Sequence, residues 1–410
     1  MSGQSVTILG GGIAGLTAAW QLSHFDIEVH LIEKDYFLGG HAIQYNCKAT
    51  EKCEQCDACT VEKMLKNVAE STKIQTHLAA DVQEIKRNKN FELEFSQKPI
   101  FSGQTEQEAL AQAFTQSPIS DLILRGFSVW NQPLYALNQD KISQLSNEEI
   151  KSVLKLDIDL KKSAQKKSLN SQAVILATGF QPFNPCLKSF YNYEHSENIV
   201  TALDLERSKK EKGLYLNPAN SKIPYKTAFI QCVGSRNEEF GHLWCSQVCC
   251  PYALRIAQVM QSENPDMDIT FYYMDIQSIG MDSPKFYEEC QSKFRFIRNI
   301  PVDISPEHNG SVFIRYLDEQ SSQVKKEDYD LVVLSIGITP GNDNERLARL
   351  CNVSINQDGF FQGQEEVNSS LSQQEGVFLA GTTTGPKSIA KSIAHTGQTV
   401  QEVIKYLGVE

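Results

Sequence analysis

The chain has no apolar run approaching the length of a bilayer, which excludes a spanning helix as its organising element. It also lacks a basic leader followed by a cleavage site. Val6 to Leu9 form an apolar strand almost at once, so the expectation is a cytoplasmic protein with no direct membrane span. Positive charge is in deficit, with 39 Lys and Arg against 50 Asp and Glu and a net charge of -11. That argues against a nucleic-acid surface, which needs clustered positive charge. Cysteine is not scarce: there are eleven, and without a secretory signal they point to metal or redox chemistry rather than a disulfide scaffold. At 410 residues the chain should form two domains or one large split domain.

Val6 to Leu22 read as an apolar strand, a glycine turn and a helix, and a second strand, Glu28 to Ile32, ends at Glu33. Gly10, Gly12 and Gly15 make G-x-G-x-x-G in the setting its mechanism requires. The first glycine turns tightly, the second admits a pyrophosphate to the backbone, and the third lets helix and strand pack closely. Phosphate then sits on the helix N-terminus, and Glu33 is placed to accept hydrogen bonds from a ribose. Gly39 and Gly40 follow at a distance that suits passage beside a flavin, which suggests FAD rather than NAD; His41 is either a flavin neighbour or a loop histidine.

Two cysteine groups stand out. Cys232, Cys245, Cys249 and Cys250, spaced C-x12-C-x3-C-C, lie between a buried strand ending at Val233 and a helix expected over Pro251 to Met260 with proline at its first position. The positive end of that helix would favour thiolates at Cys249 and Cys250. Three readings stay open here: a [4Fe-4S] cluster, a dithiol/disulfide pair, or small buried residues of the core. Cys47, Cys53, Cys56 and Cys59, spaced C-x5-C-x2-C-x2-C on a polar loop, suit a second cluster, with zinc as the rival metal.

Alternation from Ile74 to Phe95 suggests short antiparallel strands. Residues 97–169 read as an insertion with helical patches over Glu106 to Phe114 and Asn147 to Leu154, the latter opened by Ser146 and Glu149 in capping-box register. Ile119 to Tyr135 is more apolar, either a satellite core or a docking surface. Ala173 to Leu176 form a buried strand closing on Ala177, Thr178 and Gly179. A second Rossmann-like unit starts at Lys226, but no G-x-G-x-x-G follows Val233, and cysteines stand where a nicotinamide reductase would cradle phosphate. Near the end, Gly376 to Gly381 lead through Thr382, Gly385, Pro386, Lys387 and Ser388 into a helix. That junction can set backbone N-H groups and a positive helix end against a flavin, with Lys387 as the candidate catalytic cation.

These motifs resemble the A-type subunits of heterodisulfide reductase and their shorter relatives. The likeness is carried by Gly10 to Gly15, Ile32-Glu33-Lys34, Gly39-Gly40, Ala177-Thr178-Gly179-Phe180, Phe229 to Asn237, Cys245-Ser246 with Val248-Cys249-Cys250, and Gly376 to Gly381 with Gly385-Pro386-Lys387. The resemblance implies an α/β, thioredoxin-reductase-like split FAD-binding Rossmann domain with an inserted second Rossmann-like domain. The expected bounds are 1–205 and 329–410 for the FAD domain and 206–328 for the inserted one. It further implies an oxidoreductase passing electrons between FAD and one or two [4Fe-4S] clusters, inside a complex with B- and C-type subunits, with a homodimer as another arrangement. The C-x2-C-x2-C-x3-C-P ferredoxin motifs of the long methanogen-type versions are missing. The Cys47 to Cys59 loop looks most like the short versions in heterodisulfide-reductase-like complexes of sulfur oxidisers. A quinone-linked relative in sulfate reducers, a free-standing flavin disulfide reductase and an FAD- and zinc-binding scaffold are the alternatives.

Overall fold

Runs such as Val-Thr-Ile-Leu and Ala-Val-Ile-Leu, apolar on both faces of a strand, can be buried only in a sheet covered on both sides. The computed structural model, which describes residues 3–116, 122–127, 133–146, 148–149, 163–277, 283–308, 310–319, 321–364 and 368–409, puts them there. The first sheet runs Val377–Leu379, Ala173–Leu176, Gln4–Leu9, Ile27–Ile32, Ile74–His77, all parallel. Alternate residues divide between two cores. Val6, Ile8, Val29, Leu31 and Ile175 meet Leu16 of helix Ile13–Leu22, Val61 and Leu65 of helix Ala58–Glu70, and Val400 and Val403 of helix Ile389–Leu407. Leu9, Ile32, Val174 and Leu176 meet Val82, Phe91, Leu93 and Phe95. Those last residues belong to an antiparallel sheet of Ala80–Arg87, Phe91–Gln97 and Gln165–Ser171. The antiparallel expectation for 74–95 therefore holds beyond Ile74–His77, which is parallel because it lies beside Ile27–Ile32 in the main sheet.

A second unit repeats this plan. Its sheet runs Ile199–Thr201, Leu331–Ile336, Lys226–Val233, Asp268–Tyr273, Arg295–Arg298, again parallel throughout. Phe229, Phe271 and Val333 face the Cys249–Glu263 helix, and Ile230, Tyr272 and Leu334 face an antiparallel meander of Asp303–Pro306, Val312–Asp318 and Gln323–Tyr329. Strand pairing thus carries this unit out to Ile199–Thr201 and Leu331–Ile336, past the expected edges at 206 and 328.

The insertion folds onto its own small core of Phe101, Leu110, Ala113, Leu122, Ile123, Leu137 and Ile142. It contains helix Gln104–Gln116 and the hairpin Ile123–Phe127 with Pro133–Leu137. The Ser146 and Glu149 side chains each accept the other's backbone N-H, at 3.2 and 2.8 Å, which is the capping box; Asn147 and residues 150–154 lie outside the described residues. Among the described residues no helix is long and apolar enough to cross a membrane.

One contact fastens the cysteine loop to the second unit. Lys48 and Glu206, both buried, form an ion pair. Asn46 donates to the same carboxylate from its backbone at 2.8 Å and its side chain at 2.6 Å, while Lys48 donates to the Asn46 carbonyl at 2.7 Å. Glu206 sits on helix Ala202–Lys212, whose start is fixed by a capping box between Thr201 and Asp204. Replacing Glu206 with Ala leaves Lys48 as an unpaired buried charge and should cost about 3–5 kcal/mol in urea denaturation, whereas the double change K48M/E206Q, which removes both charges and keeps an acceptor for Asn46, should recover most of that loss.

Candidate functional site

The glycine turn is dictated by close approach. Gly10 has φ +108°, and a Cβ there would lie 2.4 Å from the Ala177 carbonyl oxygen; a Cβ on Gly15 would lie 1.8 Å from the Gly10 oxygen. Gly12 caps the first helix and faces open space. The Gly39 N-H donates to the Gly11 carbonyl at 2.8 Å, bringing the second glycine pair against the turn. Glu33 accepts the Gly11 N-H at 2.6 Å and the Asp35 N-H at 2.8 Å, and desolvation raises its pKa to about 7. The expected ribose acceptor thus also braces the turn. Lys34, exposed, lines the same cleft and pairs with Asp343.

The strand ends and the final junction close the groove from the other side. Ala177, Thr178, Gly179, Thr382, Lys387 and Ser388 line it, and Ser388 caps helix Ile389–Leu407 by accepting the Lys391 N-H at 3.2 Å. Gly381 is buried behind them, and Gly385 and Pro386 line a neighbouring cavity of about 420 Å³ with Trp244 and Phe360, which Lys387 also reaches. Lys387 donates to the Thr384 hydroxyl at 2.6 Å, and burial, with Lys391 nearby, lowers its pKa to about 8. His41 lines the groove beside Gly40; its Nε2 donates to the Phe180 carbonyl at 3.2 Å, while its buried Nδ1 has no partner among the described residues. A neutral ring with a free acceptor in the groove is what a donor on a bound ligand could use.

His395 carries a role that sequence reasoning missed. Its Nδ1 accepts the Gly381 N-H at 3.0 Å and its Nε2 donates to the Ser369 hydroxyl at 3.0 Å, so it holds the junction. Nothing in the local pattern marks it, because its partners lie 14 and 26 positions away.

The cleft, of about 1630 Å³, runs on from the glycine turn to the cysteine loop. Cys53, Cys56 and Cys59 line it; Cys47 is exposed and does not. The other group is brought together behind the wall. Cys232, Cys245 and Cys250 all act electrostatically on Cys249, and Cys249 hydrogen-bonds Cys250, which raises the Cys249 pKa and lowers that of Cys250. Burial pushes the Cys232 thiol up to about 12. The helix here starts at Cys249 and not at Pro251, which is its third residue; the first four N-H groups of a helix lack intrahelical partners, so proline is tolerated throughout that turn. The place of a second phosphate turn is filled: a Cβ on Gly234 would lie 2.0 Å from the Phe183 ring. Among the described residues no three His, Cys, Asp or Glu side chains stand in an arrangement that could hold a metal ion. Cys290 and Cys351 are buried in the hydrophobic cores of the two units, Cys351 raised to about 12 by burial alone, and neither joins the thiol groups.

Residues 8–60 match the NAD(P)-binding Rossmann-like domain family. The A-type subunit of the H(2):CoB-CoM heterodisulfide,ferredoxin reductase of Methanothermobacter thermautotrophicus is 28% identical over 94% of this chain and 61% of its own length. The second A-type iron-sulfur subunit of the CoB--CoM heterodisulfide reductase of Methanopyrus kandleri is 29% identical over 94% of this chain and 62% of its own. The chain is similar to the A-type subunits of heterodisulfide reductase. It spans about three fifths of the length of these curated relatives. Thioredoxin reductase from T. acidophilum superposes with a TM-score of 0.55 at 11% identity, covering 99% of both chains, and shows that the fold is thioredoxin-reductase-like.

His395 gives the chain's stability a pH dependence. Burial lowers its pKa to about 4 from the ordinary 6.5. Between those values the unfolded chain binds more protons, so this group's contribution to stability is present above pH 6.5 and is lost as pH falls towards 4. Measured by urea denaturation, H395N, which keeps an acceptor for the Gly381 N-H, should lose less stability than the native chain across that window, by on the order of 2–3 kcal/mol.

Proposed function

We propose that the chain is an oxidoreductase, the FAD- and iron-sulfur-dependent electron-transfer subunit of a heterodisulfide-reductase-like complex that serves sulfur-compound oxidation in the cytoplasm. The observation that carries this reading is the single cleft joining the Gly10–Gly15 turn to Cys53, Cys56 and Cys59. The names of relatives as heterodisulfide reductase iron-sulfur subunits support it, as does the filled phosphate turn of the second unit, which leaves thiols where a nicotinamide would otherwise be delivered.

The residues present fit FAD: a tight turn that Gly10 and Gly15 permit by close backbone packing, open space in front of Gly12, a braced carboxylate at Glu33, and an orphaned acceptor at His41. When bound, FAD supplies a carrier for one or two electrons. The turn and helix Ile13–Leu22 would bind its pyrophosphate, with Lys34 and Gly40 beside them. The Ala177–Gly179 and Gly381–Ser388 segments would enclose it. Lys387 can hold or yield a proton near neutral pH beside the positive end of helix Ile389–Leu407, an arrangement that stabilises negative charge in the groove. For iron and sulfide, each group offers four thiols, the donors a [4Fe-4S] cluster takes, although among the described residues no three of them stand in an arrangement that could hold a metal ion. Cys232, Cys245, Cys249 and Cys250 would hold one [4Fe-4S] cluster, and Cys47, Cys53, Cys56 and Cys59 a second. B- and C-type subunits are the proposed partners.

Purification without oxygen, with iron, acid-labile sulfide, zinc and FAD measured per protomer, tests this. We expect one FAD with about four or eight irons and matching sulfide. C249S should lose the iron and sulfide of one cluster while FAD stays bound; unchanged iron and sulfide would reject that ligand set. Flavin without iron, together with NAD(P)H turnover by the isolated chain, would replace this reading with a free-standing disulfide reductase.

A further inference from the structure

The insertion is not a remote appendage. Its hairpin packs on the segment that follows Glu33: a Cβ on Gly126 would lie 2.3 Å from the Phe37 ring, four positions past Glu33. Arg125 pairs at 2.8 Å with Glu211 of the second unit, and Lys98 donates to both oxygens of Asp140 at 2.8 Å. Leu124, Asn138 and Asp140 line the cleft that also contains Glu33, Tyr36 and Val82.

Direction along the groove follows from the turn. A pyrophosphate at Gly10 to Gly12 with a ribose at Glu33 places a nucleoside base beyond Glu33. There the Ala80 N-H donates to the Glu33 carbonyl at 2.9 Å, and the insertion forms the outer boundary. We infer that the insertion's hairpin and the start of helix Gln139–Ile142, with its cap Asn138, wall the purine-nucleoside end of the dinucleotide groove. The wall offers Leu124 as an apolar surface and, as a polar edge, Asn138, whose side-chain oxygen caps helix Gln139–Ile142 by accepting the Lys141 N-H. Its cation Lys98 is neutralised by Asp140, and Lys34 across the groove by Asp343, so the site suits an adenosine half with no additional phosphate. The inference rests on the FAD reading for its natural ligand but not for its chemistry, since ADP contains the same half.

The test measures binding of FAD and of ADP to the full chain, by flavin fluorescence and calorimetry, in the native protein and in L124R and N138A. Leu124 and Asn138 are half-buried at the cleft and outside the insertion's core, and circular dichroism with thermal melting checks that each variant folds. We expect L124R to weaken both ligands by about tenfold or more, because it exchanges an apolar contact for a charged chain, and N138A to weaken them less. Equal affinities in all three proteins would overturn the wall and leave the flavin reading intact. ADP that binds the native chain and is lost in L124R, with no FAD bound by any of them, would sustain the wall and overturn the flavin reading.

Discussion

The site depends most on a charge taken out of water. Lys48 and Glu206 are buried together, and neither could stay there without the other or without Asn46, which donates to the carboxylate twice. Such a pair contributes little net stability, because desolvation offsets its attraction, but removing either member is expensive. Its consequence is positional. Residues 46–48 begin the cysteine loop and Glu206 belongs to the second unit, so the loop is held between two bodies. Arg255, on the helix that begins with Cys249 and Cys250, adds a second fastening by donating to the Glu54 carbonyl at 2.8 Å. The two cysteine groups are thereby tied to one another through protein.

The two units show how one architecture is turned to two uses. Each has a five-stranded parallel sheet with helices on one face and an antiparallel sheet on the other, where helix Asn344–Cys351 joins it in the first unit. In the first, the turn after the opening strand is kept clear by glycine, so a phosphate can reach backbone N-H groups at a helix N-terminus. In the second, Phe183 fills the space beside Gly234, Cys232 adopts φ +59°, and the helix begins with two cysteines. The helix N-terminus that would have faced phosphate faces sulfur instead, but the expected pair of thiolates is not favoured: the Cys250 hydrogen bond and burial raise Cys249, burial raises Cys232, and only Cys250 is lowered.

The groove's electrostatics point the same way. Burial favours the neutral rings of His41 and His395 and loosens the proton of Lys387, so the wall around the junction carries tunable groups. Glu33, the carboxylate at the opposite end, is itself raised to about 7 by burial. Each of these shifts arises from desolvation, which is set by packing around the groove and not by neighbours in sequence.

What the sequence determined by itself was local. Gly10, Gly12 and Gly15, the apolar strands around them, the absent second fingerprint and the cysteine spacings could all be read, because each depends on backbone sterics or on donors a few residues apart. Such constraints are written within one turn or one strand. Tertiary structure alone decided the rest. Strand Leu331–Ile336 joined the second sheet because a parallel pairing is chosen by what lies beside it, not by its own residues. His395 became the prop of Gly381, Lys48 found Glu206, and the insertion came to rest against Phe37, all across separations that carry no periodic signal. Burial of charge and closeness of packing are properties of the assembled chain, and they exist only once distant segments have excluded water from between them.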